Sequence, residues 1–583
     1  MPIPTQQKQS QREALGGFLG VNLRRDRLSL EDSDVARAIN VDFHQKPGTA
    51  ILRLGRSAQF STSLGATIRR LAKHNGNRFQ IAGTSIYENQ TSFLSGLSGN
   101  LFTTLQPFRT LGDDTEWTYI ADDNLMRAYD GATVRNWGIA PPTTAMTVSL
   151  VPSAGQPMLG DYSYVYTFVR VKNGAVATES DPSPVSNTLA LTPSFFVFAS
   201  ILEASTDPQV TNINVYRTAG NGGTHLFLQQ RSNTVDVFND AAADGTLGIA
   251  AENDNEVPNN MSWVREFQGH LFMCRDALNP HYLWWSKRFR EEVPSSNFVE
   301  IGHPSDPLLG ALSLSGLLGV FTRETKYRVV GNDTSGFVPL ESLSKRGTPA
   351  VQAAIVTSNG VLFPARDGIF LTNFLERDTP LAQEIESLFY EITVNDYAPI
   401  DWSRANEMAM AEYKDRFYFS YPEVGGGSGM AVFSTDTRKW YFYDYGRAYH
   451  AMLTEEDVDD LVAGGPSGTV DIIEDAATAS DAGTSIAMTF EPATRVGRDR
   501  FVTKLFQYVR ADIDAKGSVV DISVYVDAAL IRTYSISGSR TRRLLRLPSR
   551  LLGSEWRMTV SYTGSERIEV YALHMQYMPL RFA

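Results

Sequence analysis

The chain contains a single cysteine, Cys274, among 583 residues. No disulfide can form within it, which excludes a disulfide-stapled secreted framework and fits assembly in a reducing cytosol. Cys274 ends the apolar run Leu271-Phe272-Met273-Cys274. A thiol there reads as buried and inert, because a reactive thiol needs exposure and a lowered pKa. Histidine is also scarce. The eight residues His44, His74, His225, His270, His281, His303, His450 and His574 are scattered, with no close pair of the kind that opens a zinc site. His270 sits at a turn and reads as a surface residue. Long apolar runs are missing too. The longest, Leu308 to Phe321, spans 14 residues and is broken by Ser313, Ser315 and three glycines, whereas a membrane span needs about 20. Residues 1–17 are polar and rich in glutamine, so neither signal peptide nor membrane anchor is expected.

Positive charge is in deficit: 53 Lys and Arg stand against 65 Asp and Glu, a net charge of −12. Proteins that grip DNA by neutralising phosphates show the opposite balance, so tight nucleic-acid binding is not expected. Catalytic signatures are missing as well. There is no Gly-x-x-x-x-Gly-Lys-Ser/Thr loop, no Gly-x-Ser-x-Gly elbow and no His-Glu-x-x-His helix. The expectation is a non-enzyme with no catalytic residues, no metal and no cofactor. Helical periodicity is confined to two candidates, Ser33–Ile39 and Pro380–Ile392.

What is present is β-forming. Aromatics make up 11% of the chain, with 24 Tyr and 31 Phe, alongside 45 Gly and 27 Pro. Aromatic residues favour strands, and Gly and Pro favour turns. Seven segments read as an apolar run, a polar turn and a second apolar run: residues 70–81, 117–126, 264–273, 312–321, 355–363, 410–420 and 461–472. Each reads as a β-hairpin. Placing the turns at 76, 123, 269, 316, 360, 415 and 466 gives steps of 47, 146, 47, 44, 55 and 51 residues. A four-stranded propeller blade takes roughly 40–50 residues. The one long step therefore predicts a blade plus an inserted domain.

The insert carries the alternating strand Tyr162 to Val169, the turn Asn173-Gly174, the segment Glu179-Ser180-Asp181-Pro182-Ser183-Pro184 and the strand Ile213 to Thr218. It resembles a fibronectin-III or immunoglobulin-like sandwich. Alternation returns in 506–513, 519–526, 556–562 and 568–575. The expected fold is therefore all-β: a β-propeller with an inserted Ig/fibronectin-III-like β-sandwich and a C-terminal β-sandwich or jelly-roll-like domain. The expected divisions are an N-terminal arm (1–60), propeller (61–142), insert (143–256), remaining propeller (257–476) and C-terminal sandwich (477–583).

Three acidic groups, Asp113-Asp114, Asp122-Asp123 and Glu455 to Asp460, are candidates for calcium ligands or for paired glycosidase carboxylates, which need a set separation; they lack the alternating ligands and placed glycine of a calcium loop, and read as solvated loops. Trp284-Trp285 reads as one ring on each face of a strand rather than a sugar platform. The run Arg540, Arg542, Arg543, Arg546 and Arg550, interleaved with leucines, stands out in an acidic chain. It is a candidate contact for a neighbouring subunit or domain, or for DNA phosphate. The stretch Gly425, Gly426, Gly427, Ser428 and Gly429 is a candidate gate or mobile loop, or simply a hairpin linker.

The N-terminal stretch Gly17-Phe18-Leu19-Gly20-Val21-Asn22, then Leu28-Ser29-Leu30, Ala36 to Phe43 with its Asn40-Val41-Asp42 core, and Gly48, Ile51, Arg53 and Gly55-Arg56, resembles the opening of phage tail structural proteins. With the blade spacing and the insert, the chain resembles the tail nozzle proteins of short-tailed bacteriophages (tail tubular protein B type). That resemblance implies a homo-oligomer, a hexameric ring at the distal tail tip of the virion, assembled in the host cytoplasm. It implies an adaptor ring protein and tail fibres or spikes as partners, and transient, non-specific passage of phage DNA. An acidic lining would let DNA slide, because like charges do not adhere. Two other readings remain open: a receptor- or carbohydrate-binding tail protein, and a β-propeller glycosidase.

Overall fold

The computed structural model describes residues 10–99, 102–314, 316–497 and 499–580. Residues 1–9 of the arm, 581–583 at the end of the C-terminal division, and Ser315 of the fourth hairpin and longest apolar run lie outside the described residues. The chain is all-β: a β-propeller with an inserted β-sandwich and a C-terminal β-sandwich. The helices among the described residues are four short 3-10 segments. Two compact units are present, one running to Thr91 and resuming at Arg346, the other spanning Ser92–Lys345.

In the second unit, three antiparallel four-stranded sheets, covering residues 104–136, 261–300 and 308–341, pack in chain order. The insert stands between the first two, with three-stranded, two-stranded and four-stranded sheets. Tyr164, Tyr166 and Phe168 alternate into its core beside Ile213 and Val215. The strand Tyr164–Lys172 is buried on both faces through Arg170, rather than half-buried as its alternation suggests. Thr167, on the other face, donates its hydroxyl to Glu179, which is itself covered.

In the first unit, sheets of residues 355–380, 409–443 and 451–475 pack in order, followed by the sheet that opens at Ile68. Their first turns need left-handed backbone. Asn75 and Gly76 lie at φ 49° and 79°, and Lys414 and Asp415 at φ 48° and 57°. Two left-handed residues make the tight turn whose twist matches that of the strands it joins. All seven expected hairpins form, but two join the second and third strands of their sheets: 117–126 and 461–472. In the latter sheet the first turn is the acidic segment after Glu455.

The N-terminal segment is not a loose arm. Its strand Gly55–Ala58 supplies the fourth strand of the 451–475 sheet. Strand Gln11–Gly16 pairs with Glu569–Pro579 of the C-terminal sandwich. Strands Gly20–Val21 and Asp34–Ile39 lie between Lys439–Tyr443 and Ile486–Pro492, fusing a blade and half of the sandwich into one ten-stranded sheet. The helix expected over Ser33–Ile39 is therefore a strand. Val35, Ala36 and Ala38 are fully buried there, and strand pairing on both sides overrides a weak local preference. The helix expected over Pro380–Ile392 shortens to a kinked 3-10 segment, Gln383–Phe389, that buries Ile385, Leu388 and Phe389.

The Asn40-Val41-Asp42 motif is the hub of this junction. Asn40 takes a left-handed φ of 60°. Its side-chain oxygen accepts from Arg53 Nε at 2.7 Å and from the Asp444 amide at 2.7 Å, and its side-chain nitrogen donates to the Ala487 carbonyl. Arg53 is fully buried, yet its donors are all used. They reach Asn40, the Leu54 and Asp444 carbonyls, and both oxygens of Asp481 at 2.9 and 2.6 Å. A buried guanidinium is tolerated only with such complete pairing.

Candidate functional sites

Arg542, Arg543, Arg546 and Arg550 lie on the strand Thr541–Gly553, the last strand of its sheet in the C-terminal sandwich, and Arg540 immediately precedes it. Among the described residues no strand pairs with its outer edge. Arg540, Arg542, Arg543, Arg546 and Arg550 are all exposed. Opposite Arg546, Leu544 and Arg542 stand Tyr508, Arg510 and Asp512; beyond them stand Gln576, His574 and Ala572. Alternation puts these on one face, joined by Arg12 opposite Gln576.

One carboxylate, Asp512, answers this face. Burial works against its charge, but Arg540 and Arg542 hold it below the usual carboxylate range. Burial, then Arg510, pushes His574 below its ordinary pKa, with Arg12 and Arg542 adding to it. Leu544 is 61% exposed in the middle of these cations. Beyond Arg546 the strand bulges. Leu547 turns into the core, Arg550 takes φ 63°, and pairing resumes at Leu551 opposite Phe506. Such a bulge twists an edge away from indiscriminate strand pairing.

The glycine-rich stretch is the turn of a tight hairpin. Pro422 pairs with Ser428 and Tyr421 with Gly429, while Gly425 and Gly426 both take φ 98°. At Gly429 a Cβ would stand 2.4 Å from the Tyr421 ring, so glycine is needed for close approach as well as for the turn.

This turn borders a cleft of about 470 Å³ in the first unit. The 3-10 segment Trp402–Glu407 and the connection between Tyr443 and Ala451, with Thr67 and Pro466, supply the rest of its wall. Arg404 pairs with Glu407, and Glu407 Oε2 lies 3.3 Å from His450 Nε2. Burial lowers the His450 pKa, against the pull of Glu407. Its Nδ1 is buried with no hydrogen-bond partner among the described residues. Across the cleft, Arg447 Nη1 donates to Thr469 at 2.7 Å. Asp444 accepts from the Gly446 amide at 2.7 Å. Sequence reading finds the glycine wall but misses Arg404, Glu407, Asp444, Arg447 and His450. No spacing rule links residues contributed by a 3-10 segment and an irregular connection.

Other expectations need correction. His270 is buried at 1% exposure, with Nδ1 2.7 Å from the Ser286 carbonyl. It is not a surface residue, because Phe272 and Phe337 pack edge-on around it. Asp113, Asp122 and Glu455 are not solvated. Asp113 is buried against Arg170 and the Trp117 indole, Asp122 accepts from Ser98 and Thr103, and Glu455 binds Lys73 and Arg78. Each answers a donor that periodicity does not reveal. Cys274 is fully buried, and burial pushes its thiol up to about 12. Trp284 packs towards Tyr282 and Phe298, and Trp285 towards Phe272 and Phe337, one ring to each face as expected.

No protein family matches the sequence, and no curated protein does. Among solved structures, the chain aligns with PorZ, a bacterial surface component of the type-IX secretion system of Porphyromonas gingivalis. Identity is 11%, coverage 92% of this chain and 81% of that one, and the TM-score 0.25. It also aligns with an exo-β-1,3-galactanase of Phanerochaete chrysosporium, at 6% identity, 54% and 94% coverage and a TM-score of 0.21. Likeness at this level bears on neither what the chain binds nor what it does.

Proposed function

We propose that this chain is a structural subunit of a phage particle, the protein of the nozzle ring at the distal end of a short tail. Copies join into a closed ring, a hexamer, that docks to an adaptor ring above and to fibres or spikes at the side. Phage DNA passes through without stable binding. The observation that carries the reading is the segregation of charge. From Lys504 to Leu580 the sequence has eleven Lys and Arg against seven Asp and Glu, within a chain of net charge −12. A basic, edge-exposed strand on one domain of an otherwise acidic chain is complementary to a different surface of a second copy. Contacts between unlike surfaces propagate head to tail and close into rings.

The test is native mass spectrometry of the full chain at low and high salt, with gold-labelled antibody on particles viewed by electron microscopy. A closed oligomer that loosens as salt rises, and label at the tail tip, support the reading. A monomer at every salt concentration, with label at lateral fibre ends, overturns it. The cleft beside Gly426 favours a second reading, a receptor- or carbohydrate-binding tail protein.

A further inference from the structure

We infer that the cleft bounded by the glycine turn, Arg404, Glu407, Asp444, Arg447 and His450 is a binding site for a neutral, hydroxyl-rich ligand, a saccharide unit. The inference rests on the second reading above and is independent of ring assembly. Its volume of about 470 Å³ falls within the range of about 300–1,000 Å³ typical of small-ligand sites.

Its chemistry narrows the ligand. Arg404 spends Nη2 on Glu407, and Arg447 spends Nη1 on Thr469 and Asp471. The remaining guanidinium nitrogens of both have no hydrogen-bond partner among the described residues and are available as donors. Glu407 Oε1 and Asp444 Oδ2 are acceptors in the same position. Two cations, Arg404 and Arg447, and two carboxylates, Glu407 and Asp444, balance one another in the lining. An anion would gain from the arginines and lose to the carboxylates. An apolar ligand would bury little apolar surface, because among the described residues of the wall the apolar side chains are those of Ala448 and Pro466.

A hydroxyl both donates and accepts, so a polyol meets alternating donors and acceptors best. The wall also keeps its backbone within reach. Gly426, Gly427 and Gly446 present no side chain, and such gaps let a ligand approach the main chain closely. His450 supports the floor. With Tyr421, Tyr449 and Ser428 it lines a small adjoining space, and its Nε2 lies 3.3 Å from Glu407 Oε2, which makes it a positioning residue.

The experiment is saturation-transfer NMR and calorimetry on the full chain with glucose, galactose, mannose, rhamnose and N-acetylglucosamine as probes, and with glycine and inorganic phosphate as competitors of other classes. At least one sugar is expected to bind. Glu407→Gln and Arg447→Ala should each weaken it about tenfold or more, since each removes a charge-assisted hydrogen bond. Val519→Ala, at an exposed position of the C-terminal sandwich, should leave it unchanged. Asp444→Asn serves as a second carboxylate variant if Glu407→Gln lowers the melting temperature. Binding of glycine or phosphate that the same variants abolish would overturn the saccharide class while keeping a binding site. No binding by any probe would overturn the site, whereas the second reading stands or falls separately, on whether label lies at lateral fibre ends, and the ring proposal is untouched.

Discussion

Replacing Arg416 with methionine should destabilise the junction between the N-terminal strands and the blades. The Arg416 side chain is 3% exposed, and its Nη1 lies 3.0 Å from Glu474 Oε2 and 3.6 Å from Asp42 Oδ2, both carboxylates being fully buried. Burial works against the Arg416 charge, but Glu474 outweighs it and holds the guanidinium protonated. Arg53, the nearby alternative cation, is committed to Asp481. Methionine fills similar space and leaves Glu474 beside Asp42 with the Tyr445 hydroxyl, at 3.1 Å, as its direct hydrogen-bond support among the described residues. Removing one partner of a buried ion pair costs about 3–5 kcal/mol. For a cooperative unit of this size that lowers the melting temperature by on the order of 10 °C. Scanning calorimetry of the full chain reads it.

The sign with pH follows from Glu474. Burial raises its pKa above the unfolded value, and losing Arg416 raises it further. A raised carboxyl binds its proton more tightly in the folded state, so stability falls as pH rises above the unfolded value of about 4.3 towards the folded one. The gap between parent and variant should therefore widen from pH 4 to pH 8, by up to about 1.4 kcal/mol per pH unit for one proton. Arg416→Met combined with Glu474→Gln should recover much of the loss, because no uncompensated charge remains at that position. A gap indifferent to pH, or a double variant as unstable as the sum of the singles, would refute the argument.

Three further outcomes are expected. Cys274 should resist a disulfide reagent in the folded chain and react fully in denaturant, because burial raises its thiol pKa to about 12; rapid labelling of native protein would contradict this. His574 should titrate below its ordinary value by NMR, and Arg510→Gln should move the midpoint upward, since burial and then Arg510 lower it. A histidine with a lowered folded pKa contributes stability that is lost as pH falls below about 6.5, so His574→Gln should flatten that part of the profile. Gly429→Val should destabilise by about 1–3 kcal/mol, because its Cβ would press on the Tyr421 ring 2.4 Å away; an unchanged unfolding midpoint would show that the hairpin yields instead.

Hairpins were legible in the sequence because both halves of a hairpin and its turn lie within a dozen residues. Asn75-Gly76 and Lys414-Asp415 announce their own backbone, and the spacing of such turns implies blades and an insert. The exposed arginines of 540–550 were legible for the same reason, since alternation with leucine is a property of one strand. What pairs with what across hundreds of residues was not. Ser33–Ile39 shows helical periodicity, yet lies as a strand between segments near 440 and 490. His270, Asp113, Asp122 and Glu455 look like turn residues, yet each is buried against partners set by the fold. The cleft is the extreme case. Arg404, Glu407, Asp444, Arg447 and His450 come from two stretches with no common period, and only the packing of neighbouring sheets sets them around one space. Local steric and hydrophobic preferences act over a few residues and are written in sequence order, whereas the balance of buried charge depends on which distant groups the tertiary structure brings within a few ångströms.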